Sequence, residues 1–294
     1  MTLRLKIAAA LLPAVGLSVA LTAFAQERAD RQDTPGASQQ AQKDGKAAPQ
    51  AQRDMRASKL IGKSVRNAKG ENLGEIEDLV IDVNNRRVHY AVLSFGGIAG
   101  LGDKLFAYPI KLFRAVPDSD ELVLNVDKAK LEKAPGFEEK RGPDWGDERN
   151  EYRQRVDRYF GDTVKIGARP NMQLRRASEL LDANIVDAQR NKIGEVEDIV
   201  VSPGDGRVRY IVADFDDAWV QGDKVVMLPL SAFTARSGER DLRIAADREQ
   251  VRQAPAYAGN RWPDLNDRGY RSDLERSFSR LTRDEEDEAR AEKR

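Results

Sequence analysis

The segment LGEIEDLVID at Leu73–Asp82 returns as IGEVEDIVVS at Ile193–Ser202. The offset is 120 residues (194 less 74), and at that offset Leu60–Asp147 aligns on Leu180–Asp267 without a gap. Val88/Val208, Tyr90/Tyr210, Phe95/Phe215, Pro109/Pro229 and Phe113/Phe233 are identical, and Gly102-Asp103-Lys104 recurs as Gly222-Asp223-Lys224. A repeat of this length is a duplicated domain rather than a solenoid unit. Whatever one copy folds into, the other must fold into as well.

Each copy reads as short strands. Val88, Tyr90 and Val92 alternate with Arg87, His89 and Ala91, the period of two of a half-buried strand. Asn84-Asn85 and Gly96-Gly97 bracket it as turns. Further strands are expected near 63–67, 72–83, 104–108 and 121–126, with counterparts one offset on. A short helix is expected after Asp127 and after Asp247, both good N-caps, ending before Pro135 and Pro255. So many short strands in so little chain point to a small β-barrel or roll.

The repeated acidic stretch carries a phase slip. Ile76 falls on even positions, whereas Leu79, Ile81 and Val83 fall on odd ones, and copy two slips at the same place between Val196 and Ile199. A strand that keeps one face buried through a one-residue slip needs a bulge. That bulge is expected to put Glu77 and Asp78 both in water with Glu75 near them, while Gly74 permits the bend. Three carboxylates on one strand rarely surround a Ca²⁺ or Mg²⁺ ion, so a structural joint is favoured over a cation site.

Outside the repeat the chain changes character. Residues 1–25 have a basic start at Arg4 and Lys6, an apolar run and an Ala23-Phe24-Ala25 end. They read as a secretory signal cleaved after Ala25, giving a periplasmic protein; the alternative is an uncleaved segment anchoring the chain in the inner membrane. Residues 26–57 have almost no large apolar side chains and are expected to form a disordered linker. Copy one is assigned to 58–140, a helical linker to 141–176, copy two to 177–262, and a helical, charged tail to 263–294. In the linker, Tyr152, Val156, Tyr159 and Phe160 share a helix face; Leu274, Phe278 and Leu281 do the same in the tail.

The order of these motifs resembles the PRC-barrel domain of the photosynthetic reaction centre H subunit and the ribosome maturation factor. Leu-Ile-Gly-Lys-x-Val at Leu60–Val65, the glycines and carboxylates of Gly70–Asp78, the strand around Tyr90, Tyr108-Pro109-Ile110 with Phe113, and Ala134–Phe137 carry the resemblance. Copy two departs from it at Asp182, where copy one has Gly62, and at Ala256-Tyr257, where copy one has Gly136-Phe137. The resemblance implies a mainly β chain of two tandem small barrels, each followed by short helices. It also implies a docking or assembly module with no family-wide catalytic residues. Neither named function transfers with the fold, because a cleaved export signal fits neither relative.

Composition narrows the chemistry. Lys plus Arg equals Asp plus Glu at 49 each, which gives no overall pull toward nucleic acid. With no cysteine, disulfides, thiolate catalysis and Cys-based metal sites are excluded. The single histidine, His89, is expected to face away from the core on its strand, which leaves a serine or threonine nucleophile without a base. The glycines of Phe95–Lys104 are followed by a strand, not by the helix N-terminus a phosphate loop needs. No catalytic residue and no cofactor are therefore assigned.

Copy two replaces that glycine loop with ADFDDAWVQGDK, which gathers Asp214, Asp216, Asp217 and Asp223 near Trp219. The aspartates are the candidate cation ligands, and Trp219 is the candidate partner contact. The expected function is a non-enzymatic adaptor that docks a protein partner, including a peripheral membrane complex. A periplasmic cation- or small-ligand-binding stress protein is the alternative, and an enzyme with its site between the barrels is a remote one. The gapless offset also allows the two barrels to pair face to face within the chain.

Overall fold

A computed structural model describes residues 54–95, 104–116, 121–126, 128–147, 150–161, 172–236, 238–259 and 261–278. The signal segment, most of the N-terminal linker, the glycine loop of copy one, Asp127 and Leu281 lie outside them. Copy one contains β1 (Met55–Arg56), α1 (Ala57–Leu60), β2 (Ser64–Arg66), β3 (Asn72–Asp82), β4 (Arg87–Ser94), β5 (Lys104–Pro109), β6 (Phe113–Ala115), β7 (Leu122–Leu124), α2 (Lys128–Glu132) and β8 (Gly136–Glu138). Then comes α3 (Glu151–Phe160). Copy two repeats the order with β9 (Leu174–Arg176), α4 (Ala177–Leu180), β10 (Asn184–Val186), β11 (Lys192–Ser202), β12 (Arg207–Phe215), β13 (Lys224–Pro229), β14 (Phe233–Ala235), β15 (Leu242–Ile244), α5 (Arg248–Gln253) and β16 (Ala256–Ala258). Residues 268–278 form a further helix.

Within each copy the strands curl into a half-barrel. The order is β6-β7-β2-β3-β4-β5-β8 in copy one and β14-β15-β10-β11-β12-β13-β16 in copy two. Only β2–β7 and β10–β15 are parallel; the other neighbours are antiparallel. The chain is thus mainly β, two tandem barrels with short helices, as the sequence implies. Capping follows the expected chemistry. Asp247 closes a capping box with Gln250 at the start of α5, and the Asn150 side chain accepts from the amides of Tyr152 and Arg153 at the start of α3.

The bulge is present in both copies. Pairing of β3 with β4 jumps from Ile76↔Leu93 to Asp78↔Val92, and pairing of β11 with β12 jumps from Val196↔Ala213 to Asp198↔Val212. Glu77 and Glu197 are the extra residues and are exposed. A second shift, from Val80↔Tyr90 to Ile81↔Val88, makes His89 the extra residue on β4. His89 is half-buried rather than outward-facing, its ring edge-on to Tyr90 at 4.5 Å. Gly74 does more than permit a bend. It sits at φ +143°, and a Cβ there would lie 1.9 Å from the Ser94 carbonyl oxygen.

The bulge marks where β3 changes partners. Its first half pairs with β2 through Asn72, Gly74 and Glu75. Its last residues pair instead with β9 of copy two, Val80↔Arg176 and Asp82↔Leu174. Likewise β11 pairs first with β10 and then with β1 of copy one, Val200↔Arg56 and Val201↔Met55. Each copy therefore lays a short N-terminal arm on the other. This corrects two expectations: Met55–Arg56 belongs to a sheet rather than to a disordered linker, and Leu174–Arg176 is a strand rather than the end of a helical linker. Arms of two or three residues, three of the five arginine, are too short to show the alternation that marks a strand in sequence.

Between the arms, the two sheets join directly. The Val88 amide donates to the Gly206 carbonyl at 2.8 Å, and the Val208 amide to the Arg86 carbonyl at 3.0 Å. The two bonds are related by the repeat, as in an isologous contact between identical subunits. The buried apolar residues of both copies form one continuous cluster. After the bulge, β3 and β11 are buried without alternation, in the same pattern in both copies, because the arms and the partner barrel cover the face that would otherwise be wet.

The linker helix α3 belongs to copy one. Tyr152, Val156 and Phe160 are buried against its barrel. The Tyr152 hydroxyl accepts from the Ala107 amide and donates to the Pro135 carbonyl, both at 3.0 Å, and the Tyr159 hydroxyl donates to the Lys130 carbonyl at 2.7 Å. Leu274 and Phe278 of the last helix are buried in the same way. Among the described residues no helix is long and apolar enough to cross a membrane.

Candidate functional site

The conspicuous polar feature is the acidic joint, and its second carboxylate is not in water. Asp78 is 6% exposed and Asp198 2%. Asp78 accepts from the Ser178 amide at 3.1 Å, the Ser178 hydroxyl at 2.5 Å and the Leu79 amide at 2.8 Å. Asp198 accepts from the Ser58 amide at 3.2 Å, the Ser58 hydroxyl at 2.5 Å and the Ile199 amide at 2.8 Å. Each aspartate thus caps the first turn of the short helix that follows the other copy's arm. The expectation that Glu77 and Asp78 share one solvated side is corrected. The bulge turns only the glutamate outward, and the aspartate is drawn inward by unsatisfied amides at a helix start.

Burial raises the Asp78 carboxyl above its ordinary value, against the lowering effect of the bonds from Ser178 and Leu79 and the charge of Arg176. In the matching clasp the arginine of the copy one arm stands close: Arg56 lies 3.7 Å from Asp198. The serines and arginines of this clasp escape an alignment that begins at Leu60, yet they repeat in sequence. Arg56-Ala57-Ser58 recurs as Arg176-Ala177-Ser178. Extending the repeat four residues toward the N-terminus finds them.

Beside the copy one clasp lies a cleft of about 410 Å³. Phe137 and Trp145 form apolar wall, Glu77, Lys140 and Glu139 stand along it, and Arg176 and Glu179 reach in from copy two. Arg176 Nε is held by Glu179 at 2.8 Å.

The aspartate loop of copy two is a set of turns. The amides of Trp219 and Val220 donate to the Asp216 carbonyl at 2.7 and 3.1 Å, and the Gly222 amide donates to the Asp217 carboxylate at 3.2 Å. Asp214, Asp216, Asp217 and Asp223 are all exposed. Partial burial raises the Asp214 carboxyl, and the neighbouring charges of Asp223, Glu195 and Asp216 raise it further. Among the described residues no group of three or more carboxylate or imidazole side chains is placed to hold a metal ion. The structure does not gather these four aspartates into a ligand set.

Trp219 is 9% exposed, stacked on Phe215 at 5.9 Å under the Arg248 guanidinium at 5.5 Å. Arg252 ties down its carbonyl and that of Ala218, both at 3.0 Å. The tryptophan therefore anchors its own loop, and it also lines a shallow cleft of about 390 Å³ with Val251 and Arg252.

Two further buried polar groups hold structure together. The Tyr90 hydroxyl donates to Asp157 on α3 at 2.5 Å; burial raises both groups above their ordinary values. Asp54, just ahead of β1, lies 3.4 Å from Arg209 and 3.9 Å from Arg271.

A family model for the PRC-barrel domain matches the chain twice, over residues 53–131 and 172–251. Both matches begin at the arms, ahead of α1 and α4. A search of curated proteins finds no match.

Proposed function

The chain belongs to the PRC-barrel family, and on that premise we propose that it is a non-enzymatic docking or assembly adaptor exported to the periplasm. One observation carries the reading. The buried carboxylates Asp78 and Asp198 clasp the two copies, and the half-buried Asp157 ties α3 to the first barrel. Reaction chemistry requires titratable groups left to act on a substrate in a cleft; of those lining the cleft here, Asp78 is taken up by Ser178 and Leu79, and Arg176 by Glu179. What the joints produce is a pair of barrels sharing strands and core, with an open cleft at their seam, which suits recognition. Export after Ala25 supplies the compartment in this proposal.

In-cell cross-linking of the full protein, followed by membrane fractionation and identification of the captured species, tests the adaptor reading. Repeated capture of one envelope complex supports it. A soluble monomer with no cross-linked product overturns it. A second reading, a cation-binding stress protein, draws on the charges of Asp223, Glu195 and Asp216 around Asp214, which a cation would offset although among the described residues no three carboxylates are placed around one point. A calcium-dependent rise in melting temperature, lost in Asp214→Asn with Asp223→Asn, supports that reading; no rise removes it.

A further inference from the structure

The repeat breaks beside the clasp. Arg141-Gly142-Pro143-Asp144 of copy one reads Arg261-Trp262-Pro263-Asp264 in copy two. The Trp262 indole lies under the Arg56 guanidinium, 4.0 Å from its carbon to the ring centre, and 5.7 Å from the Tyr257 ring. The residues matching Arg56 and Tyr257 are Arg176 and Phe137, and both line the copy one cleft together with Gly142. The walls that hold an indole in copy two are therefore present in copy one without the indole.

The glycine is not there for its backbone. Gly142 sits at φ −56°, ψ 153°, extended backbone open to any residue. A Cβ would come no closer than 3.8 Å to Phe137. Its effect is to leave room. Trp145 does not occupy that room. It packs edge-on against Phe137 and Tyr152 and tilts against Tyr90. Arg176 is held in place by Glu179, with its side chain 49% exposed, so a planar cation already stands over the opening.

We propose that this cleft receives a tryptophan side chain from a second polypeptide, delivered on a segment outside helix and strand as Trp262 is delivered in copy two. The inference rests on the docking reading above and names the chemistry of the partner. This chain has three tryptophans, and Trp145, Trp219 and Trp262 are each packed against other rings. A second copy of the chain would have to unpack one of them, so the occupant belongs to a different protein.

The probe is a capped hexapeptide with the sequence of residues 259–264, Gly-Asn-Arg-Trp-Pro-Asp, titrated into the isotope-labelled full protein. Amide shifts are expected at Glu139, Lys140, Gly142, Trp145 and Arg176. Binding is expected to weaken at least tenfold when the peptide's tryptophan becomes alanine, and at least tenfold in Gly142→Trp, where the new indole fills the cleft. Arg176→Ser, which removes the cation without filling anything, is expected to weaken it severalfold and guards against a misfolded Gly142→Trp. No shifts at these amides, or equal binding to Gly142→Trp, overturns the proposal. N-acetyltryptophanamide binding as tightly as the peptide overturns the polypeptide occupant in favour of a small aromatic ligand. Cross-linking separates the two readings. A partner captured equally by wild type and Gly142→Trp leaves the adaptor and removes the cleft. Peptide binding with no captured partner does the reverse.

Discussion

Asp78→Ala tests whether the acidic joint is a clasp. The substitution removes the acceptor of three hydrogen bonds, two of them from copy two. It leaves the amides of Ser178 and Leu79 and the Ser178 hydroxyl without that partner. A buried donor left unsatisfied costs about 1–3 kcal/mol. The adjoining cleft lets water reach part of the site, and the alanine escapes the cost of burying a carboxylate. We expect a net loss of about 2–4 kcal/mol, measured by urea denaturation. Asp78→Asn keeps the shape, accepts from the Ser178 amide and donates to its hydroxyl, so it should stay within about 1 kcal/mol of wild type. Combined with Ser178→Ala, Asp78→Ala should show a coupling of about 1–2 kcal/mol, as contacting residues do. Amide exchange should quicken at Ser178 and Leu79 first. A loss under about 0.5 kcal/mol, or strict additivity with Ser178→Ala, refutes the clasp.

Other outcomes follow from the same geometry. The Asp78 carboxyl is raised in the folded state, so folding is favoured by its protonation; its contribution is greatest below its ordinary value of 3.8 and falls as pH rises through the folded value. A plot of wild-type minus Asp78→Asn stability should therefore slope downward as pH rises from 3.8 to the folded value and level off above it, and a plot flat or rising across that window contradicts the burial argument. Gly74→Ala should cost about 3 kcal/mol or more in urea, since its Cβ meets the Ser94 carbonyl at 1.9 Å. Gly62→Ala, with open space at φ +82°, should cost only about 1–2 kcal/mol of backbone strain, and equal losses at both sites argue against the close strand approach. The fragment 54–161 keeps both Ser58 and Asp78, so two fragments can exchange arms as the two copies do; light scattering should find a dimer, and Ser58→Ala with Asp78→Ala should shift it toward monomer.

Much of the fold was legible because burial writes itself as period. The slip between Ile76 and Leu79 predicted a bulge, and the register jump at Glu77 is that bulge. Asp247 announced its helix, and the stripe at Tyr152, Val156 and Phe160 announced its buried face. The arms were not legible. Arg56 and Arg176 lie in strands only because another copy's strand is there to pair with, a condition that leaves no pattern in two or three residues. Asp78 was misplaced for a related reason: a carboxylate beside a bulge reads as solvated until the helix start it caps comes from 100 residues away. In the candidate loop, Phe215 and Arg248 pack the Trp219 ring and Arg252 holds its carbonyl, contacts made by residues up to 33 positions away that no local pattern announces.

In a dimer of identical subunits every substitution is made twice, once on each side of the axis. A tryptophan at the position of Trp262 would close both clefts, and a glycine at the position of Gly142 would leave both open. Joining the two halves in one chain lifts that constraint. The clasp stays symmetric, Asp78 with Ser178 and Asp198 with Ser58, while the neighbouring pockets are edited one at a time. The chain can thus devote one seam to its own cohesion and keep the matching seam vacant, a division of labour that no single-copy barrel can reach by self-association.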